Sequence, residues 1–359
     1  MQAQQLREVP NYSPEPEPAP AGGWLELLRM EVDFYLAEFF EDKRLETKAI
    51  SPPTLELVDA IEALTMRGGK RLRPAVAAAG YRCVRAGHGM DRLVELSGAL
   101  ELLQSYLLIH DDWMDGDEVR RGGPAVHTAL ARSHRDRHLG AALGILAGDL
   151  ASAFAWESFL EAPYPARVST RATTMFLEVQ KEVYCGQQLD LTCDPDVSRM
   201  HALKTTSYSV RGPLLLGAML GNPSDAQLEA LSGWAGPIGE AFQIRDDLLG
   251  ALGSPDRTGK PGMDLPHGKV SSVLAEVRRS TEPGDRQPVE AIVGKPDVTH
   301  RELTDARAYL HDSGVVDRLE ARITKLRSEA QRVLKDGLFN PQGRSMLTQL
   351  ADKLTNRRA

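Results

Sequence analysis

Apolar residues in this chain return at three- and four-residue steps almost from end to end, and that period limits the folds it can form. Leu25, Leu27, Leu28, Val32, Tyr35 and Leu36 set the pattern, a stripe along one side of a helix. Comparable segments cover residues 54–66, 71–86, 91–114, 139–160, 166–190, 198–220, 225–251, 300–312 and 315–337. Two open on side-chain signals for a helix start, Ser224 with Gln227 and Thr299 with Glu302. Alternating runs of β-branched residues joined by Asn-Gly turns are absent, so the pattern predicts an all-α chain.

A length of 359 residues allows one large domain or two ordinary ones. Residues 1–22, rich in Pro and Glu, predict a disordered tail. No linker divides the remainder, so 23–359 is expected to be one helical domain. Gly253–Gly268 reads as a functional loop, and residues 281–298 as an exposed connection. The formal charge of −7 argues against a nucleic-acid partner, which would require a basic face. Cys83, Cys185 and Cys193 have no metal-ligand spacing and suit a reducing compartment. The most apolar window, Leu139 to Phe159, contains Asp149 and Glu157. It predicts a core helix rather than stable membrane insertion, and the protein is expected to be cytoplasmic.

The chemistry is concentrated in two acidic motifs. In His110-Asp111-Asp112-Trp113-Met114-Asp115, helical spacing stacks Asp111 on Asp115 with Asp112 beside them. Two carboxylates 6 Å apart repel by roughly 3 kcal/mol at an effective dielectric near 20, and by under about 1 kcal/mol in bulk water. A solvated face therefore costs little, whereas a buried cluster calls for cations. The apolar residues before the motif, Leu102 to Ile109, predict a buried helix, and Mg²⁺ is the hard cation that accepts such oxygens beside phosphate. A second pair, Asp246-Asp247, follows Phe242-Gln243 on another apolar helix and precedes the glycine-rich loop. Two such helices can face one cavity from opposite walls.

Basic residues complement them. Gly68-Gly69-Lys70-Arg71-Leu72-Arg73-Pro74 places cations at a helix start, where anions are favoured. Arg120-Arg121-Gly122 follows the first acidic motif, and Lys204-Thr205 and Gly259-Lys260 supply two further lysines. Arginine is shaped for bidentate phosphate contacts.

Taken in order, Gly68–Pro74, Asp111–Asp115, Arg120–Gly122, Gly186-Gln187-Gln188-Leu189-Asp190, Lys204-Thr205, Phe242-Gln243, Asp246-Asp247 and Gly259-Lys260 resemble the trans-isoprenyl diphosphate (polyprenyl) synthases over residues 24–340. The resemblance implies the isoprenoid synthase type I fold, a single large helical bundle around a central active-site cavity. It implies Mg²⁺, three ions per site, held by Asp111, Asp112, Asp115, Asp246 and Asp247, with Asp190 and Gln187 supporting the cluster. Arg120, Lys204 and Lys260 match contacts to an allylic diphosphate; Lys70, Arg73, Gln104 and Arg121 match an isopentenyl diphosphate pocket. Thr205 and Gln243 match residues that place oxygens near a developing carbocation. The implied reaction is head-to-tail (1′-4) condensation, and a homodimer is implied with it. The chain departs from the family at Gly250, where many relatives carry Asp.

Bulky residues just upstream of the first motif close the product tunnel in this family. Tyr106 stands five residues before Asp111 and Leu107 four, a pattern similar to geranylgeranyl (C20) diphosphate synthases. On a helical wheel Leu103 and Leu107 lie beneath Asp111, with Tyr106 about 100° to one side. Two other readings share parts of the pattern. A class I terpene cyclase would leave Lys70, Arg73 and Arg121 unexplained and carries an Asn/Ser/Glu metal motif absent here. A silent regulatory subunit would be marked by lost acidic residues, and Gly250 is such a loss.

Overall fold

The computed structural model describes residues 23–86, 91–253, 262–295, 297–334 and 337–356, so the tail expected over 1–22 and Lys260 lie outside the described residues. The described chain is helical: α1 (Gly23–Ile50), α2 (Leu55–Met66), α3 (Leu72–Val84), α4 (Val94–Met114), α5 (Val126–His134), α6 (Arg137–Glu161), α7 (Ala166–Leu191), α8 (Val197–His201), α9 (Gly212–Leu220) and α10 (Asp225–Leu252). After the loop come α11 (Ser272–Ser280), α12 (Gln287–Glu290), α13 (His300–Asp312), α14 (Val315–Val333) and α15 (Pro341–Thr355). Both anticipated capping boxes form, at Ser224 and Thr299, each side chain accepting from the backbone three residues on. The one sheet among the described residues is a hairpin, β1 (Val119–Arg120) with β2 (Gly123–Pro124).

Two apolar clusters meet along α10. One joins α1 to α4, α6, α7, α9 and α15 around Phe40, Leu100, Phe176 and Trp234. The other gathers α11 to α14 onto the last turns of α10 through Ile244, Leu248, Val273 and Ile323. The connection expected to be exposed over 281–298 is therefore tied down, with Val289 and Ile292 fully buried. The apolar stretch that carries them, Val289 to Val293, is too short for a periodicity reading. Glycine permits a close crossing of α9 on α3: a Cβ on Gly217 of α9 would lie 1.9 Å from the Ala77 carbonyl oxygen of α3.

The helix expected over 198–220 is unbroken from Val197 to Leu220 but is not α-helical throughout. Between α8 and α9 the backbone widens into a π-helical segment, Ala202–Arg211. Two glycines let it pass: a Cβ on Gly186 would stand 2.3 Å from the Lys204 nitrogen, and one on Gly239 2.3 Å from Thr206 Cγ2. Pro213 opens α9 and brings no N–H of its own to the ladder. Such insertions concentrate at functional positions, and this one carries Lys204 and Thr205.

Candidate active site

The apolar side of α4 buries Leu96, Leu100, Leu103 and Ile109 in the core, which carries its last turn to the rim of a cavity. Asp111 is half-buried there and Asp112 wholly buried. Burial pushes the Asp112 carboxyl up to about 6, against the pull of Arg120. Arg120 Nε donates to Asp112 Oδ1 at 2.5 Å and its Nη2 to Asp117 Oδ2 at 3.1 Å, with Asp111 Oδ2 at 3.7 Å. The hairpin aims this side chain. Arg121 and Gly122 turn through left-handed conformations, φ 52° and 72°, folding Arg120 back over the end of α4.

The π-helical segment completes the first wall. Lys204 Nζ lies 2.5 Å from Asp190 Oδ2 on α7 and 3.3 Å from Asp111 Oδ1 on α4. Burial opposes its charge, but Asp111 and Asp190 more than offset that and hold the ammonium above the usual lysine range. Lys269, from the loop after α10, lies 3.7 Å from Asp115. Asp115, Asp117, Asp190, His267 and Lys269 line an open cavity of about 540 Å³. Carboxylates and cations thus alternate across it.

The second acidic pair splits. Asp246 is half-buried on α10. Asp247, expected as a metal ligand, has both oxygens engaged inside the protein. Its Oδ1 accepts from Gln243 Nε2 at 2.7 Å, its Oδ2 from the Ser272 N–H at 2.7 Å, and His201 Nε2 stands 3.7 Å away. These contacts make it the anchor of the α11 start, and they commit the Gln243 amide nitrogen to Asp247. Gly250 also has a structural reason: a Cβ there would lie 1.7 Å from Asp264 Oδ2. A carboxylate from the loop occupies the space that a side chain at 250 would take.

Beside Arg120 lies an arginine cluster. Arg73 Nη2 donates to Ser209 Oγ at 2.8 Å and its guanidinium stacks 4.2 Å over Tyr208, while its buried Nε has no hydrogen-bond partner. Arg121 Nη1 donates to the Leu64 carbonyl at 3.3 Å. Burial lowers its pKa, Arg71, Arg73 and Arg120 lower it further, and Glu101 acts in the opposite sense. Lys70 is exposed at the mouth, and Gln104 is half-buried on α4. The cluster is a ready-made anion site.

Below the motif, the Tyr106 ring packs 4.9 Å from His110 and 6.1 Å from Tyr184, edge to face in both cases. Burial and the hydrogen bond with Tyr184 raise the Tyr106 pKa. Leu107 is half-buried beside it, and Thr205 half-buried on the π-helical segment. Sequence reasoning missed Asp264, Lys269, Tyr184 and Glu101. The first two lie in or just after the glycine-rich loop, which was the signal available.

Mg²⁺ fits this donor set. Asp111 Oδ1 and Asp112 Oδ2 are shielded from solvent and accept no hydrogen bond, Lys204 reaching Asp111 Oδ1 as an ion pair alone. Such bare hard oxygens suit that cation. Gln187 presents a buried, unpartnered amide nitrogen nearby on α7.

Comparison with known proteins agrees with this geometry. The polyprenyl synthetase family model matches residues 55–310. A geranylgeranyl diphosphate synthase of Methanosarcina mazei is 32% identical over 310 residues, 84% of this chain and 90% of that protein. A geranylfarnesyl diphosphate synthase of Natronomonas pharaonis is also 32% identical, over 323 residues, with the same shares of each chain. The crystal structure of a geranylgeranyl pyrophosphate synthase from Corynebacterium glutamicum, complexed with isoprenyl diphosphate and magnesium, superposes with a TM-score of 0.85 at 30% identity, covering 93% of this chain and 99% of that one. With its all-α isoprenoid synthase fold, the chain belongs to the polyprenyl synthetase family of prenyltransferases.

Proposed function

We propose that the enzyme joins isopentenyl diphosphate to an allylic diphosphate, head to tail, with Mg²⁺, and releases linear geranylgeranyl (C20) diphosphate. The observation that carries this reading is the pairing of two anion sites. One alternates Asp111, Asp112 and Asp190 with Arg120 and Lys204; the other is the arginine cluster of Arg73 and Arg121. A cyclase has no use for the second.

Asp111, Asp112, Asp115 and Asp246 would hold Mg²⁺, which supplies neutralisation of the leaving diphosphate. Among the described residues no group of three or more acidic, histidine or cysteine side chains could hold a metal ion by itself, so substrate phosphate would have to complete the ligation. An open donor set suits an ion that shares its ligation with substrate phosphate. Arg120 and Lys204, and Lys260 by its place in the motif, bind the allylic diphosphate and offset charge as the C1–O bond breaks. Lys70, Arg73, Gln104 and Arg121 orient the isopentenyl diphosphate so that its double bond faces C1. Thr205 and the Gln243 oxygen stabilise the allylic cation, and the departing diphosphate takes the proton. The apolar walls exclude water from the cation.

Tyr106, wedged between His110 and Tyr184, supports a tunnel floor at C20 length. A homodimer is supported by α6, whose apolar window is 39% buried within the chain. Leu139 and Leu146 of α6 and Leu177 and Tyr184 of α7 remain exposed for a second copy. That face also accounts for the membrane-like composition of α6 and is consistent with a cytoplasmic enzyme.

The test is to incubate purified protein with isopentenyl diphosphate, Mg²⁺ and dimethylallyl, geranyl or farnesyl diphosphate, and to size the dephosphorylated products. A linear C20 alcohol that disappears in Asp111→Ala and lengthens in Tyr106→Ala is expected. A linear product of another length removes Tyr106 as the stop. A cyclic hydrocarbon, or no turnover with any primer, overturns the reaction.

A further inference from the structure

Arg71 is among the most completely enclosed cations in the protein, and neither diphosphate site uses it. It caps α3 between Lys70 and Leu72 in a left-handed conformation, φ 44° and ψ 45°, which side chains other than glycine rarely adopt. Its side chain is 2% exposed. Nε donates to Asp33 Oδ1 of α1 at 2.8 Å, Nη1 to Glu101 Oε2 of α4 at 2.5 Å, and Nη2 to the Thr65 carbonyl at the end of α2 at 3.0 Å. Thr65 Oγ1 shares a hydrogen bond with Ser105 Oγ at 2.7 Å, and Ser105 donates back to the Glu101 carbonyl at 3.0 Å. One guanidinium therefore locks the loop between α2 and α3 to three helices.

That loop presents Lys70, and the first turn of α3 carries Arg73. Glu101 lies three residues before Gln104, on the same side of α4. Its second oxygen, Oε1, is buried and accepts no hydrogen bond. A Cβ on Gly69 would stand 3.5 Å from Arg71 Nη1 and 3.7 Å from the Arg121 nitrogens, so both guanidiniums flank the glycine. Glu101 is also the group that opposes the mutual repulsion of Arg71, Arg73, Arg120 and Arg121 at Arg121.

We infer that Arg71 and Glu101 are positioning residues for the isopentenyl diphosphate pocket: their buried ion pair holds Lys70, Arg73 and Arg121 in register for the diphosphate while touching no substrate. The inference rests on the reading of Lys70, Arg73 and Arg121 as that pocket.

The test is steady-state kinetics of Arg71→Lys, Glu101→Gln and Asp33→Asn, varying each substrate in turn, with a melting curve for each protein. Lys70→Ala and Arg121→Ala serve as pocket controls. Arg71→Lys and Glu101→Gln should raise the KM for isopentenyl diphosphate about tenfold, with allylic KM and kcat nearly unchanged. Equal rises for both substrates, a fall in kcat alone, or an unchanged isopentenyl KM in a folded variant would overturn it. Should both buried variants fail to fold, Asp33→Asn decides. Its side chain is 36% exposed, and an unchanged isopentenyl KM there refutes the idea. If the two controls leave that KM unchanged, the pocket reading fails and takes the inference with it. If the controls raise it and the Arg71 network variants do not, the inference alone fails.

Discussion

Restoring the family's aspartate at position 250 should harm this enzyme. An ideal Cβ on Gly250 lies 1.7 Å from Asp264 Oδ2 and 2.6 Å from its Cγ. Non-bonded carbon contacts settle near 3.5 Å, so the Asp264 carboxylate must swing by about 2 Å. Its backbone is less free, because the Asp264 N–H donates to the Gly250 carbonyl at 3.3 Å and the Lys269 N–H to the Asp264 carbonyl at 3.0 Å. The clash falls on the far end of a side chain, so the cost is that of moderate overpacking, about 1–3 kcal/mol. In Gly250→Asp a second carboxylate arrives as well, and two such charges 4 Å apart repel by about 4 kcal/mol at an effective dielectric of 20. Gly250→Ala isolates the steric part. Melting curves should show both variants less stable, by a few degrees. Gly250→Asp should lose more stability than Gly250→Ala, because its added carboxylate repels that of Asp264. An unchanged melting temperature in both variants would refute the reasoning, since it would mean the space beside Gly250 is open.

Gly217→Ala meets rigid backbone instead, at 1.9 Å from the Ala77 carbonyl oxygen, and should cost about 3 kcal/mol or more, read from denaturant unfolding. Lys204→Met should lower kcat/KM for the allylic substrate by about 10²–10³ with an unchanged circular dichroism spectrum. Glu276 is buried between Arg318 and Arg279 at 2.7 and 2.8 Å. Burial alone would raise its pKa, but the arginines prevail and hold it below 4.5. A carboxyl lowered by folding contributes stability that is present above its unfolded value and lost as pH falls toward the folded one. Glu276→Gln should therefore flatten the acid side of the melting temperature against pH. Leu139→Glu with Leu146→Glu, on the exposed side of α6, should yield monomers by light scattering.

Much of the architecture was legible in advance because helix formation is local. The three- and four-residue period along α4, α7 and α10 needs no partner to be read, and capping at Ser224 and Thr299 is settled within three residues. What failed to show were elements whose apolar content is short or widely spaced: α5, α11, α15, and the Val289 and Ile292 anchors. The widening at Ala202–Arg211 also escaped. A π-helical turn leaves no distinct mark on a three- and four-residue apolar pattern, and it is accommodated where Gly186 and Gly239 of other helices leave room for it.

The candidate site divides in the same way. Spacing alone brought Asp111 and Asp115 to one face and set Arg120 and Arg121 just beyond them, because those relations depend only on helical pitch and chain connectivity. Tertiary structure decided the rest. It turned Asp247 inward to Gln243 and Ser272, brought Lys204 between Asp111 and Asp190, filled the space at Gly250 with Asp264, and enclosed Arg71 between Asp33 and Glu101. Apart from Asp247 with Gln243, each of these is a contact between groups on different elements. Its energy depends on distance and burial, and neither exists until the helices have packed.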